Sequence, residues 1–212
     1  MATLPAGEPP VLALIPLRAG ATWVYSVTLD TQEGYRPVHW TGVITETVTE
    51  ARRTAETVGN GWVFRVSRTG ALPLDAPPHE PTFFYVALGG WLYQLFDAED
   101  APDQIRELIA TQGQGFEAER IAAWPMTVGQ TWGDPELISI EGSAYRWLVE
   151  AQEDVQTPAN GGRVWLGCLR LIFRTNPDVT THWVCPGIGL VRYQYHHNGS
   201  RHDEVWELVR YE

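Results

Sequence analysis

The chain has 212 residues, with 26 acidic and 15 basic side chains, every basic one an arginine, and a net charge of −11. That balance argues against nucleic acid and anionic membrane surfaces as partners, because both repel an acidic chain whose arginines are scattered. No run approaches the roughly 20 apolar residues of a membrane span, and Val11-Leu12-Ala13-Leu14-Ile15, short and without a basic flank before Pro16, does not read as a signal peptide.

Taken in chain order, residues 1–12 read as a flexible stub and the rest of 1–212 as one β-barrel-like domain, large enough to bury a core without disulfides or metals. β-Branched or aromatic runs bounded by Gly, Pro, Asn and Asp predict strands at Thr22–Leu29, Val38–Thr49, Glu56–Val58, Trp62–Ser67, Thr82–Leu88 and Trp91–Phe96. Pro102 and the pattern Asp103–Ala110 predict a two-turn helix that ends before Gly113, and Glu117–Ala123 is a second helix candidate. Strands resume at Leu137–Ile140, Tyr145–Gln156, Arg163–Phe173, Thr180–Val184, Leu190–His197 and Glu204–Tyr211. The fold class is therefore all-β with minor α. About a dozen strands exceed what one flat sheet holds, so a large curved antiparallel sheet or half-open β-barrel follows, with one or two short helices.

Three local features refine that picture. The segment Pro16-Leu-Arg-Ala-Gly20-Ala-Thr-Trp23 recurs as Pro125-Met-Thr-Val-Gly129-Gln-Thr-Trp132, each copy placing a Gly-permitted turn before a strand. We read the echo as two strand entries using similar turn chemistry, with duplication as the alternative, because little else matches between the halves. Cys168 and Cys185 flank a turn near Asn176-Pro177-Asp178, and they face each other only if the strand register is centred between Asn176 and Pro177. We read them as two free, half-buried thiols, since nothing else in the chain announces an oxidising compartment. Asn198-Gly199 predicts a two-residue type I′ hairpin turn that sets Tyr195 opposite His202 and Tyr193 opposite Glu204. One face of that hairpin carries Val191, Tyr193, Tyr195, His197, His202, Glu204, Trp206 and Leu208 and looks inward.

Several of these residues also carry a likeness. Pro16-Leu17-x-x-Gly20-x-x-Trp23-x-Tyr25, its mid-chain echo, Cys168-Leu-Arg-Leu171 and Pro186-Gly-Ile-Gly-Leu-Val191 resemble a loose family of uncharacterised bacterial β-rich proteins, often exported or lipid-anchored. The resemblance implies a curved antiparallel sheet similar to lipoprotein-carrier and lipocalin-like folds, and it implies no reaction. The chain departs from that pattern in lacking an evident signal or lipobox cysteine. A soluble, cytoplasmic protein is expected for the chain as it stands, and an exported one if a leader has been removed.

For function, the search for catalytic motifs finds no Gly-x-Ser-x-Gly elbow, His-Glu-x-x-His, Walker loop or Cys-x-x-Cys pair. No cofactor is expected. The aromatic load of 10 Trp, 8 Tyr and 6 Phe points to a ring-built interior. The expectation is a non-catalytic binding module that holds an apolar or amphipathic small molecule, or a partner segment, with Tyr193, Tyr195, Trp206, Trp183 and Trp165 as contacts. Two alternatives stand beside it. A small β-barrel enzyme would use His197, His202, Glu204 and Tyr195 for acid–base chemistry, the first three doubling as metal ligands, although polar residues beside a turn ordinarily face solvent. A structural subunit would pair through a strand edge.

Overall fold

The computed structural model describes residues 8–33, 36–54, 61–70, 81–96, 99–117, 119–133, 145–175, 177–199 and 201–212. Twelve strands occur among them: β1 (Thr22–Glu33), β2 (Arg36–Arg53), β3 (Gly61–Gly70), β4 (Thr82–Leu88), β5 (Trp91–Leu95), β6 (Arg120–Ala123), β7 (Thr131–Gly133), β8 (Arg146–Thr157), β9 (Arg163–Arg174), β10 (Asp178–Cys185), β11 (Gly189–His197) and β12 (Asp203–Tyr211). One helix, α1 (Ala101–Ala110), lies between β5 and β6. The strands expected at Glu56–Val58 and Leu137–Ile140 fall outside the described residues.

Every described ladder is antiparallel, and the strands form one sheet in the order β6-β5-β4-β3-β2-β1-β12-β11-β10-β9-β8-β7. Each strand thus neighbours its sequence neighbour, β1 pairs with β12, and the sheet curls until it is nearly a closed barrel. The seam lies between β6 and β7. A side chain bridges it: Trp132 Nε1 donates to the Arg120 carbonyl at 2.8 Å, and the Trp132 ring lies 5.8 Å from that of Trp91.

Alternation sorts inside from outside. Along β1, Trp23, Tyr25, Val27 and Leu29 are buried while their neighbours are half-exposed, as period-2 geometry requires of a sheet with one face on a core. Inward rings touch from strand to strand, from Tyr25 to Trp206, Tyr193, His182, Trp147 and Trp132, at centroid distances between 4.9 and 6.2 Å. Each such contact contributes about 0.5–1.5 kcal/mol beyond the area it buries. One end of the barrel is stopped by the N-terminal segment, in which Pro10–Ala13 forms a 3-10 turn and Val11, Leu12, Leu14 and Leu17 are buried in the core. The Gly187 N–H ties the β10–β11 turn to that plug by bonding the Ala13 and Leu14 carbonyls. The last two residues of the expected stub, Val11 and Leu12, are therefore packed in the core. Outside the barrel, Ile105, Leu108 and Ile109 of α1, at helical spacing, cover Val63, Val86, Leu88 and Leu95.

Two expectations need correction, and one short strand went unread. The segment Glu117–Ala123 is not helical: Arg120–Ala123 is a strand on the edge of the sheet, and Pro125 disfavours helix in the residue before it. The strand Thr131–Gly133 has only three residues, too few to show a period. Cys168 and Cys185 are bonded in a disulfide rather than free. The β9–β10 register pairs Arg174 with Val179 and Leu169 with Val184, which centres it between residues 176 and 177 and brings the two cysteines opposite one another.

The final hairpin is shifted as well. Tyr195 sits opposite Glu204 and Tyr193 opposite Trp206, and the His197 N–H donates to the His202 carbonyl, so four residues make the connection instead of two. Neither Asn198 nor Gly199 adopts the left-handed backbone of a type I′ turn. Asn198 is instead drawn to the adjacent β9–β10 turn, where its backbone and side-chain N–H groups both donate to the Pro177 carbonyl. The slide changes partners without changing faces. Tyr193, Tyr195 and His197 still share a face with Glu204, Trp206 and Leu208, and Tyr195 still touches His202 at 5.4 Å.

The sequence echo is also a structural one. Gly20 and Gly129, with φ of 87° and 91°, each donate to a carbonyl 2.8 Å away on the following strand, Val48 of β2 and Val149 of β8. Those same valines donate back to Ala21 and Gln130, and both are followed at once by a register shift against the next strand, between Val48 and Glu50 and between Val149 and Ala151. Each copy opens one six-strand half of the sheet, β1–β6 or β7–β12.

Candidate functional site

Twelve strands wrapped around large rings leave space where the rings do not meet. The barrel encloses a cavity of about 500 Å³. At its closed side the walls are apolar: Ile15 and Leu17 from the plug, with Trp23, Val184 and Leu190. Trp23 is fixed there because its Nε1 donates to the Ile188 carbonyl at 2.7 Å. Phe96, 48% exposed and the lining residue most open to solvent, marks the opening, and Gln94 lies two residues back on the same face of β5.

Between these limits the wall is aromatic and carries buried polar groups. Glu46 on β2 and Arg68 on β3 are direct cross-strand partners, and the Nε and Nη2 of Arg68 both bond Oε1 of Glu46, at 2.9 and 2.7 Å. The guanidinium lies 4.7 Å from the Phe83 ring centre and 5.1 Å from that of Trp206, so its charge is held by a carboxylate and two ring faces. Glu204 is buried beneath Trp206 and accepts its Nε1–H at 2.6 Å. Burial, with the Glu46 carboxylate second, holds the phenols of Tyr25 and Tyr85 above their ordinary range, and burial followed by Glu204 does the same for Tyr193. These tyrosines remain neutral hydrogen-bonding groups. Burial also pushes His182 down to about 4, so its imidazole, packed between the rings of Trp147 and Tyr193, is neutral at pH 7.

The ligand-contact residues expected from sequence divide between inside and outside. Tyr193 and Trp206 line the cavity. Tyr195 lies two residues further along the Tyr193 face, with its ring against His202. Trp165 is buried in the core, where its Nε1 donates to Thr157 Oγ1 at 2.9 Å. Trp183 points to the other face of β10, its Nε1 on Glu153 and its ring under Arg192.

The polar tip is rearranged relative to expectation. His197 Nδ1 pairs with Asp178, which faces it directly across β10 and β11, and Tyr195 also bonds that carboxylate. These bonds hold Asp178 below the ordinary carboxylate range even though burial acts in the opposite direction. Glu204 accepts the Trp206 Nε1–H. Among the described residues, no three His, Cys, Asp or Glu side chains are placed to hold a metal ion. On the outer face, Asp203 pairs with His196 and Glu207 accepts the Ala159 N–H.

Sequence reasoning missed Tyr25, Glu46, Arg68, Glu119, Trp147 and His182, all of which line the cavity. A signal for two of them was present. Glu46 continues the inward alternation of Ile44 and Val48, and Arg68 that of Phe64 and Val66, so two opposite charges stand on apolar faces of consecutive strands.

No protein-family model and no curated protein matches this chain. Among solved structures it is similar to a protein assigned as exported, with a YmcC-like fold, from Bacteroides fragilis: identity is 13%, the match covers 92% of this chain and 96% of that one, and the TM-score is 0.46. It is also similar to a protein assigned as a lipoprotein from Parabacteroides distasonis, at 11% identity, the same two coverages and a TM-score of 0.49. A DUF1329 family protein from Desulfovibrio piger aligns at 10% identity over 97% of this chain and 93% of that one, with a TM-score of 0.27. No described helix is long and apolar enough to cross a membrane.

Proposed function

We propose that this chain is a non-catalytic binding protein that holds an apolar or amphipathic small molecule inside the barrel. The observation that carries the reading is the cavity of about 500 Å³, closed and apolar at one side, ring-walled, and open beside Phe96. A volume of that size lies within the range of small-molecule sites, which are mostly apolar with a few placed polar groups. The Asp178–His197 pair does not line this cavity, which weighs against the enzyme alternative. The strand-edge alternative has little edge to work with, since β6 and β7 have only four and three residues. The buried Cys168–Cys185 disulfide supports function in an oxidising, extracytoplasmic compartment, because cytosolic thiols are kept reduced.

The test is titration with N-phenyl-1-naphthylamine, a neutral apolar fluorophore. The expected result is saturable 1:1 enhancement in the wild-type protein, lost when Leu190→Trp fills the apolar side of the cavity. Enhancement that does not saturate, or that survives Leu190→Trp in a folded variant, would overturn the reading.

A further inference from the structure

One carboxylate oxygen on the cavity wall has no hydrogen-bond donor among the described residues. Glu119, just ahead of β6, lines the cavity, and its backbone carbonyl is used by the Gln94 N–H at 2.9 Å. Its side-chain Oε2 is shielded from solvent and accepts no hydrogen bond among the described residues. A buried carboxylate oxygen without a donor forfeits the hydration it had in water and gains nothing in return, so such a group asks for an explanation. Arg68 does not supply one, because its Nε and Nη2 are already committed to Glu46. Nor does His182 contribute a positive charge, its imidazole being neutral.

Formal charge around the cavity is therefore lopsided. Lining residues contribute two carboxylates, Glu46 and Glu119, against one guanidinium, that of Arg68. An anionic head group entering this wall would meet excess negative charge. A cation would meet the open Oε2 of Glu119 within a wall that also holds Trp147, Trp206, Tyr193 and Phe96, and aromatic rings attract cations. The apolar floor at Leu17, Trp23, Val184 and Leu190 meanwhile accepts a hydrocarbon tail.

Resting on the binding reading above, we propose that the cavity selects amphiphiles with a positively charged, hydrogen-bond-donating amine head, seated on Glu119, over neutral or anionic amphiphiles of the same tail. The amine N–H fills the acceptor that the protein leaves open, and the tail lies toward the plug.

Isothermal titration with decylammonium, decanol and decanoate, each below its aggregation concentration, separates head from tail. Decylammonium should bind about tenfold or more tighter than decanol, and decanoate more weakly than either. In Glu119→Gln the amine preference should fall to about twofold while decanol affinity stays within about twofold of wild type; in Glu119→Asp much of the preference should remain. Equal binding of amine and alcohol by the wild-type protein overturns the head-group assignment and leaves the binding reading standing, and so does a preference that survives Glu119→Gln. If none of the three binds, both readings fall. The wild-type series decides the matter even if a variant does not fold, and circular dichroism of each variant establishes whether it does.

Discussion

The two halves of the sheet start alike and end differently. Both begin with a Gly-centred turn bonded to a valine on the next strand, and both shift register just after that valine. Yet both halves contribute rings to the cavity wall, and its charged side chains, Glu46, Arg68 and Glu119, all come from β1–β6 and their lead-ins, while β7–β12 contribute Trp147, Phe173, His182, Tyr193 and Trp206 and no charged lining residue. The halves are also braced by different means: α1 covers the outside of β3–β5, whereas a disulfide ties β9 to β10. One backbone plan thus supports two kinds of wall, because inward positions recur every second residue and any of them can carry a charge or a ring. What distinguishes the halves is side-chain chemistry laid on a shared ladder.

The largest test of that contrast is removal of the charge pair. Arg68→Met leaves Glu46 buried without its partner and should cost about 3–5 kcal/mol in urea unfolding. Adding Glu46→Leu should recover most of that loss, since two well-packed apolar groups carry no desolvation penalty. A single variant as stable as the double one would mean that the first half does not depend on its ion pair.

The corresponding brace of the second half is the disulfide. Replacing Cys168 and Cys185 together by Ala should cost about 3 kcal/mol, as expected for a bridge across a separation of 17 residues. Reductant should destabilise the wild-type protein by a similar amount and leave the Ala variant unaffected. Equal stability of the two under non-reducing conditions would remove the disulfide from the comparison.

Acidity should also act through the second half. His182 has its folded-state value near 4, below the ordinary 6.5, so the unfolded chain takes up a proton that the folded barrel refuses. Stability from this group is therefore complete above about pH 6.5 and is lost as pH falls from there toward 4, by something on the order of 2 kcal/mol after allowance for its partial exposure. Thermal unfolding across that window should show the loss, and His182→Gln should flatten it. An unchanged slope in the variant would move the effect to other groups.

The smallest effects concern what the halves share. Gly20→Ala and Gly129→Ala place a side chain in left-handed backbone, and each should cost about 1–2 kcal/mol. Nothing lies within 4 Å of a Cβ built at either position, so the penalty comes from backbone conformation alone. Costs agreeing within about 0.5 kcal/mol would show the turns to be energetic equivalents.

Much of the architecture was legible because period-2 burial is written into long strands such as β1 and β12. The faces of the last hairpin followed from the same rule, even though its register did not. Register failed where a side chain made a long-range choice: Asn198 bonds Pro177, and no local turn rule anticipates that. The strands β6 and β7 were illegible because three or four residues hold too little pattern. The cavity was harder still. Each wall residue comes from a different strand, so convergence depends on curvature, and Asp178 could be matched to His197 only by knowing the shift at Trp183/Val184 in the β10–β11 ladder. Tyr193 and Trp206 were found because both lie on one hairpin, the single unit whose inner face can be read without knowing the rest.

The pairing of β1 with β12 has a consequence for how the molecule is made. A strand laid down early finds its second neighbour only after ten others have been synthesised, so the circuit of hydrogen bonds cannot be completed until the final strand has left the ribosome. Contacts so distant in sequence slow folding and leave an unfinished edge exposed meanwhile. A nascent chain of this design is obliged to wait, with one side of β1 unpaired until β12 arrives.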